Sequence, residues 1–232
     1  GYRLQRFVLK HQSRKVTING QWENQPQQCL SFENPCLTDE DIEVGRELIR
    51  LKSLPFKRSI CFVGRMEPEK GADLIFDALK LLTPIETLKI DTIHFVGDGP
   101  YLSHYKSLTK HLDIKFKFHG VLSRKDVFEV YKICHVLLLP SKSEGFPKVV
   151  AEAMNFCCIP IVSKVSSIGQ YVKHLDHGFL IEPLTIASLL KELSHVLNLT
   201  QDDYIRLIKN QREITRKFTF SNYNMQLKQK VL

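Results

Sequence analysis

The chain has 232 residues, 43% hydrophobic and 25% charged, which excludes a mainly disordered chain and allows one large domain with appendages to bury a real core. Its 33 Lys and Arg against 25 Asp and Glu give a formal charge of +8, so nucleic acid, phosphates and acidic membrane surface all stay open as partners. No apolar stretch reaches the ~20 residues of a spanning helix, and the N-terminus lacks a signal-peptide pattern.

In chain order, Lys15 to Gly20 reads as a short strand running into a turn, and Gln21 to Pro35 as a polar, Gln/Asn-rich linker loop. Thr38 to Leu51 reads as a helix, with Thr38 as N-cap, Asp41 near N3, and an apolar pattern at Ile42, Leu48 and Leu51. From residue 59, short β-rich runs alternate with helical-period segments. The strands are Ser59 to Val63, Thr92 to Val96, Ile114 to Phe118, Val136 to Leu139, Ile159 to Val162 and Gly178 to Ile181. One helical stripe runs through Ala72, Ile75, Ala78, Leu79 and Leu82, and another through Val127, Val130, Tyr131 and Cys134. This alternation predicts an α/β fold, a Rossmann-like doubly wound parallel sheet, over about residues 58–200. Residues 201–232 read as two closing helices, Gln201 to Lys217 and Ser221 to Leu232, the second capped by Ser221. None of the six cysteines forms a Cys-x-x-Cys pair, so a reduced, cytoplasmic protein is expected; a chain that begins at Gly1 is expected to be a fragment.

In such a sheet, ligands gather beyond the carboxyl ends of the strands, where loops run into helix N-termini. The first such loop, Gly64 to Gly71, places Arg65 and Lys70 before a helix, either as a diphosphate clamp or as a solvated loop. The second, Gly97-Asp98-Gly99-Pro100, has Pro100 suited to a first helical turn and Asp98 suited to an ordinary strand-to-helix turn. The third, His119-Gly120-Val121, offers backbone groups to a nucleobase, with no chemical role for His119 itself. The fourth carries Glu144, whose carboxylate can accept from sugar hydroxyls, and leads into a helix in which Glu152 is suited to a ribose diol. The apolar neighbours Val149, Val150, Ala151, Ala153 and Met154 set Glu152 apart from a chance surface glutamate.

These motifs together resemble the retaining, nucleotide-sugar-dependent glycosyltransferases of family 4, which have the two-domain GT-B architecture. The resemblance rests on Gly64-Arg65 with Glu69-Lys70-Gly71, on Val96 to Pro100, on Pro140-Ser141 with Glu144-Gly145-Phe146-Pro147, and on Glu152-Ala153-Met154. Glu144 and Glu152 form its Glu-x7-Glu signature. Val16 to Gly20 looks like the strand and turn at which that family leaves its N-terminal domain, making residues 1–20 a remnant of that domain and residues 21–57 a linker and helix. The loop Ser163 to Gly169 departs from the adjacent glycines common in relatives.

The resemblance implies that Arg65 and Lys70 hold the diphosphate of a UDP-, GDP- or ADP-sugar and serve as the catalytic cations, that Glu144 contacts the donor sugar as the third catalytic residue, and that Glu152 holds the ribose. Gly64, Gly120, Val121, Gly145, Phe146 and Pro147 complete the implied donor site. It further implies retaining transfer of a hexose-type sugar to a glycan or lipid-linked acceptor, without a metal and with no other cofactor, and a fragment that binds a nucleotide but needs the N-terminal domain for turnover. Asp39-Glu40-Asp41 reads as capping rather than metal binding. Two other classes compete with this reading: a nucleotide-sugar epimerase of the same fold, which would not be expected to carry the Glu-x7-Glu set, and a basic nucleic-acid module, which the scattered cations disfavour. A peripheral place on the cytoplasmic face of an anionic membrane accounts for the excess charge.

Overall fold

The computed structural model describes residues 2–144 and 148–231. In chain order the elements are α1 (Tyr2–Lys10), β1 (Val16–Asn19), β2 (Cys29–Phe32), α2 (Asp39–Leu51), β3 (Arg58–Val63), α3 (Ala72–Leu79), α4 (Pro84–Thr87), β4 (Ile90–Val96), α5 (Leu102–Leu108), β5 (Lys115–Phe118) and α6 (Arg124–Ile133). They continue with β6 (Val136–Leu139), α7 (Lys148–Asn155), β7 (Ile159–Ser163), α8 (Ile168–Tyr171), β8 (Phe179–Ile181), α9 (Ile186–Leu197), α10 (Gln201–Lys217) and α11 (Phe220–Lys230).

Six strands form one parallel sheet in the order β5-β4-β3-β6-β7-β8. The chain winds outward from β3 in one direction and from β6 in the other, so the switch point lies between these two strands. This is the Rossmann-like α/β fold that the alternation of strands and helices predicts. β6 and β7 are buried at every position, as central strands covered on both faces must be. On one face Phe76 of α3 stacks on Phe95 of β4; on the other, Phe128 and Tyr131 of α6 pack against Phe156.

The capping box at the start of α2 is present: Asp41 N–H donates to Thr38 Oγ1 at 3.1 Å, and Thr38 N–H donates to Asp41 Oδ2 at 2.8 Å. At the other end of α2, Lys52 Nζ donates to the carbonyls of Tyr131, Cys134 and Phe156, tying this helix to the segments that close α6 and α7.

Four local expectations are corrected. The stretch read as a linker loop contains β2, which pairs in parallel with β1 from Val16↔Cys29 to Asn19↔Phe32; its apolar run is only four residues long and sits among Gln and Asn. The last helix is capped by Thr219, whose Oγ1 accepts from Asn222 N–H, so Ser221 lies inside the first turn. Leu51 is exposed at the end of α2 rather than part of its buried stripe. Pro100 stands in the turn ahead of α5 rather than in its first turn. The N-terminal α1 has no counterpart in the sequence reading. All six cysteines are free and buried, and among the described residues no helix is long and apolar enough to cross a membrane.

Candidate functional site

The loops after β3 and β6 meet at the switch point because two backbone contacts press them together. Gly71, at φ +77°, faces the carbonyl of Pro140 so closely that an added Cβ would lie 2.0 Å from its oxygen, and Lys142 N–H donates to Glu69 O at 2.8 Å. Lys70 lies between these contacts in sequence, and its Nζ stands 2.7 Å from Glu144 Oε1, with 22% and 10% of the two side chains exposed. The structure therefore brings together the cation and the acidic residue singled out on separate loops.

Arg65 follows β3 but is oriented differently: its Nε and Nη2 donate to Glu67 Oε1 at 2.9 and 2.7 Å, and 76% of its side chain is exposed. Gly64 leaves ordinary space for a Cβ, with Phe62 and Lys70 its nearest neighbours, so internal packing does not by itself demand glycine there.

The loops after β4 and β5 continue this edge as a backbone platform. Gly64 N–H donates to Val96 O, Met66 N–H to Asp98 O, and Gly97 N–H to Gly120 O at 2.7 Å. Gly97, at φ +124°, abuts the Gly64 carbonyl, where an added Cβ would lie 2.0 Å from the oxygen. Asp98 Oδ1 accepts from Gly99 N–H at 2.7 Å, the turn role read from sequence. Gly120 borders open space, and Val121 beside it is 78% exposed, an apolar residue left at the mouth of the platform. His119 packs on His94 with ring nitrogens 3.0 Å apart, and burial lowers the pKa of both.

Glu152, in α7, is half-buried, and no hydrogen bond from a described residue reaches its carboxylate. Burial pushes its pKa up to about 7, against the opposing pull of Arg124 first and Lys148 second, with Asp41 adding to the rise. Beside it, burial and then the charge of Glu152 push the Cys36 thiol up to about 12. Sequence reading found Glu152, gave Asp41 only a capping role, and missed Cys36 and Arg124, which belong to segments distant in the chain. Gly145, Phe146 and Pro147, named from sequence as part of the site, lie outside the described residues. Among the described residues no cluster of His, Cys, Asp or Glu is arranged to hold a metal ion, and Asp39, Glu40 and Asp41 occupy the first turn of α2.

The Lys70–Glu144 pair thus lies beside a backbone platform at the switch point of a doubly wound sheet, the edge at which such folds take up ligands, and solved GT-B glycosyltransferases share this fold. Anabaena HepE in complex with UDP aligns with a TM-score of 0.75 at 20% identity, covering 98% of this chain and 66% of that one. WaaG, a glycosyltransferase involved in lipopolysaccharide biosynthesis, aligns at 0.70 with 19% identity, covering 99% and 65%.

Residues 49–214 match the family model described as glycosyl transferases group 1, and the chain belongs to that family. An uncharacterized glycosyltransferase of Haemophilus influenzae is 35% identical over 146 residues, 61% of this chain and 40% of that protein. The UDP-Gal:alpha-D-GlcNAc-diphosphoundecaprenol alpha-1,3-galactosyltransferase of Escherichia coli is 28% identical over 152 residues, 64% of this chain and 39% of that protein. The chain thus spans about two-fifths of the length of these curated relatives.

Proposed function

We propose that this chain is the donor-binding half of a retaining family 4 glycosyltransferase, which binds a nucleoside diphosphate sugar and supports transfer of a hexose-type sugar to a glycan or lipid-linked acceptor. The observation that carries this reading is the juxtaposition of Lys70 and Glu144 at the switch point, with Glu152 half-buried in the helix that follows the Glu144 loop. UDP is the first nucleotide to test, because the E. coli relative is named for a UDP-Gal donor and Anabaena HepE was solved with UDP and with UDP-glucose. GDP and ADP remain in the comparison.

In this reading Lys70 and Arg65 face the diphosphate, Glu144 accepts from hydroxyls of the sugar, and Glu152 accepts from both ribose hydroxyls. The backbone of Gly64, Gly120 and Val121 borders the phosphate and base, and Gly145, Phe146 and Pro147 complete the sugar end. The anomeric C–O bond breaks with its electron pair going to the diphosphate. The acceptor oxygen bonds to the same carbon from the same face, and its proton passes to the departing phosphate. Lys70 and Arg65 stabilise the negative charge that grows on the leaving group, so donor binding is proposed to need no metal. The acceptor side is assigned to an N-terminal domain of the same protein, with residues 1–20 as its last segment. The excess cations are assigned to a peripheral place on an anionic membrane surface at its cytoplasmic face.

Calorimetry of the chain with UDP, GDP and ADP, with and without a chelator, tests this reading. Binding of one nucleotide that survives chelation and is weakened by Lys70→Ala and Glu152→Gln is the expected result. A folded sample that binds none of the three overturns it.

A further inference from the structure

The amino edge of the sheet, opposite the Lys70–Glu144 pair, gathers exposed apolar residues. Leu51 closes α2, Phe56 lies between α2 and β3, Leu81, Ile85 and Leu88 lie between α3 and β4 or within α4, and Ile133 closes α6 just ahead of β6; these six are 55–79% exposed. Single exposed apolar residues are ordinary, but β4, β3 and β6 are consecutive neighbours in the sheet, so these belong to one stretch of one edge.

Three contacts hold the segments side by side. Lys52 Nζ, next to Leu51, donates to the carbonyls of Tyr131 and Cys134, on either side of Ile133. Arg58 N–H donates to Lys89 O at 2.7 Å, joining the segment of Phe56 to that of Leu88. Lys57, Leu88 and His111 border one open cleft of about 540 Å³, which brings the entry to β5 into the same surface.

Cations stand among these residues. Arg50, Lys57, Lys110 and Lys115 are exposed, and no carboxylate of a described residue pairs with them; Lys89 binds the neutral Asn198 Oδ1. Lys80 and Lys132 are already matched by Asp77 and Glu129. Three further carboxylates lie along the edge: Glu86 turns back onto Thr83, Asp91 accepts from the hydroxyls of Ser59 and Thr92, and Asp113 is exposed. The edge thus keeps five unmatched cations against three carboxylates, two of them engaged by other donors.

We propose that this amino edge is the face the protein lays on an anionic lipid surface, with Leu81, Ile85 and Leu88 entering the headgroup boundary and Lys57, Lys110 and Lys115 meeting lipid phosphates. This inference rests on the peripheral membrane placement proposed above and names the surface that performs it. Lipid fits better than a second copy of the chain: the apolar residues are spread over three segments with lysines between them, a residue type that the cores of protein interfaces exclude, whereas fluid lipid needs no matching shape. The donor edge, at the other end of the same strands, stays open to solvent.

Co-sedimentation of the chain with vesicles of equal parts phosphatidylcholine and phosphatidylglycerol tests this, beside vesicles of phosphatidylcholine alone. Wild type should bind the anionic vesicles, less so as salt rises, and bind the neutral ones far more weakly. Leu81→Ser, Ile85→Ser and Leu88→Ser combined should weaken binding about tenfold or more, as should Lys57→Gln, Lys110→Gln and Lys115→Gln combined. Thermal melts check that both combinations fold, and Ile85→Ser alone, expected to lose severalfold, serves if the first does not. Wild type that binds anionic vesicles while neither combination loses affinity overturns the assignment to this edge and leaves the membrane placement standing. Wild type that ignores anionic vesicles overturns both. A dimer in sedimentation velocity that the three serine substitutions disperse would assign the edge to a second copy and overturn the proposal. Nucleotide affinity, measured separately by calorimetry, decides the donor-site reading and should be unchanged by either combination.

Discussion

Lys70 and Glu144, from loops on opposite sides of the switch point, form an ion pair of 2.7 Å that is mostly shielded from water. The cation proposed for the diphosphate and the carboxylate proposed for the sugar thus neutralise one another. On the proposed reading, an entering diphosphate would compete with Glu144 for Lys70, and Glu144 released from that bond would become free to accept from sugar hydroxyls.

This exchange gives a double-mutant prediction. Lys70→Ala removes the cation and leaves Glu144 as an unpaired anion facing the phosphates, so nucleoside diphosphate affinity should fall at least about tenfold. Glu144→Gln should leave the bare diphosphate bound as well as before or severalfold tighter, while the intact sugar donor loses affinity. The double variant should recover part of the loss caused by Lys70→Ala. Calorimetry of the four proteins decides the matter: strictly additive effects would rule out the exchange.

Arg65 offers a contrast, because its partner Glu67 holds it at the surface. Exposed pairs of this kind are worth only about 0–1 kcal/mol, so a diphosphate can draw the guanidinium away at small cost. Glu67→Gln should therefore change diphosphate affinity by no more than about fivefold, toward tighter binding, whereas Arg65→Ala should weaken it clearly. A Glu67→Gln variant that binds tenfold more weakly would mean that Glu67 itself belongs to the site.

The role proposed for Glu152 sets ligand binding against stability. Its pKa rises from about 4.5 in an unfolded chain to about 7 in the folded one, so the native state holds the extra proton between these values. Stability lost to the buried charge is therefore greatest above pH 7 and is regained as pH falls toward 4.5. Glu152→Gln should stabilise the fold at pH 8 by on the order of 1–3 kcal/mol, seen as a higher melting temperature, with the gain shrinking toward pH 5. The same substitution should weaken nucleotide binding. Thermal melts across this pH range test the first half; a gain independent of pH would remove the ionised carboxylate as its cause.

The sheet was legible in the sequence because β6 and β7 are apolar at nearly every position and Gly-rich loops punctuate the run. The capping box of α2 was legible because Thr38 and Asp41 are three residues apart, and Glu152 because it interrupts an apolar helix. What escaped was long-range. β2 is four residues long and is fixed by pairing with β1, and Arg124 meets Asp41 across 83 positions. The Lys70–Glu144 pair depends on the packing of Gly71 against Pro140, and nothing in either loop's own sequence announces the other.

Gln170, in the short helix α8 after β7, brackets the main chain of Gln21: its Oε1 accepts from Gln21 N–H at 2.9 Å and its Nε2 donates to Gln21 O at 2.8 Å. One side chain thus supplies the donor and the acceptor that a neighbouring strand would, and fastens the turn after β1 to the loop region beyond β7. Gly20 completes the contact, at φ +69° and with an added Cβ only 2.6 Å from Ser167 Cβ. Gln170→Ala should break both bonds, cost about 0.5–2 kcal/mol and speed amide exchange at Gln21. Gln170→Glu keeps an acceptor for Gln21 N–H but loses the donor to Gln21 O, so its protection should fall between wild type and Gln170→Ala. Gly20→Ala should exceed both in destabilisation, since it adds backbone strain to a steric overlap. Hydrogen exchange resolved to residues 16–22, together with chemical denaturation, measures all three; equal protection of Gln21 in wild type and Gln170→Ala would show that the bracket does not hold the turn in solution.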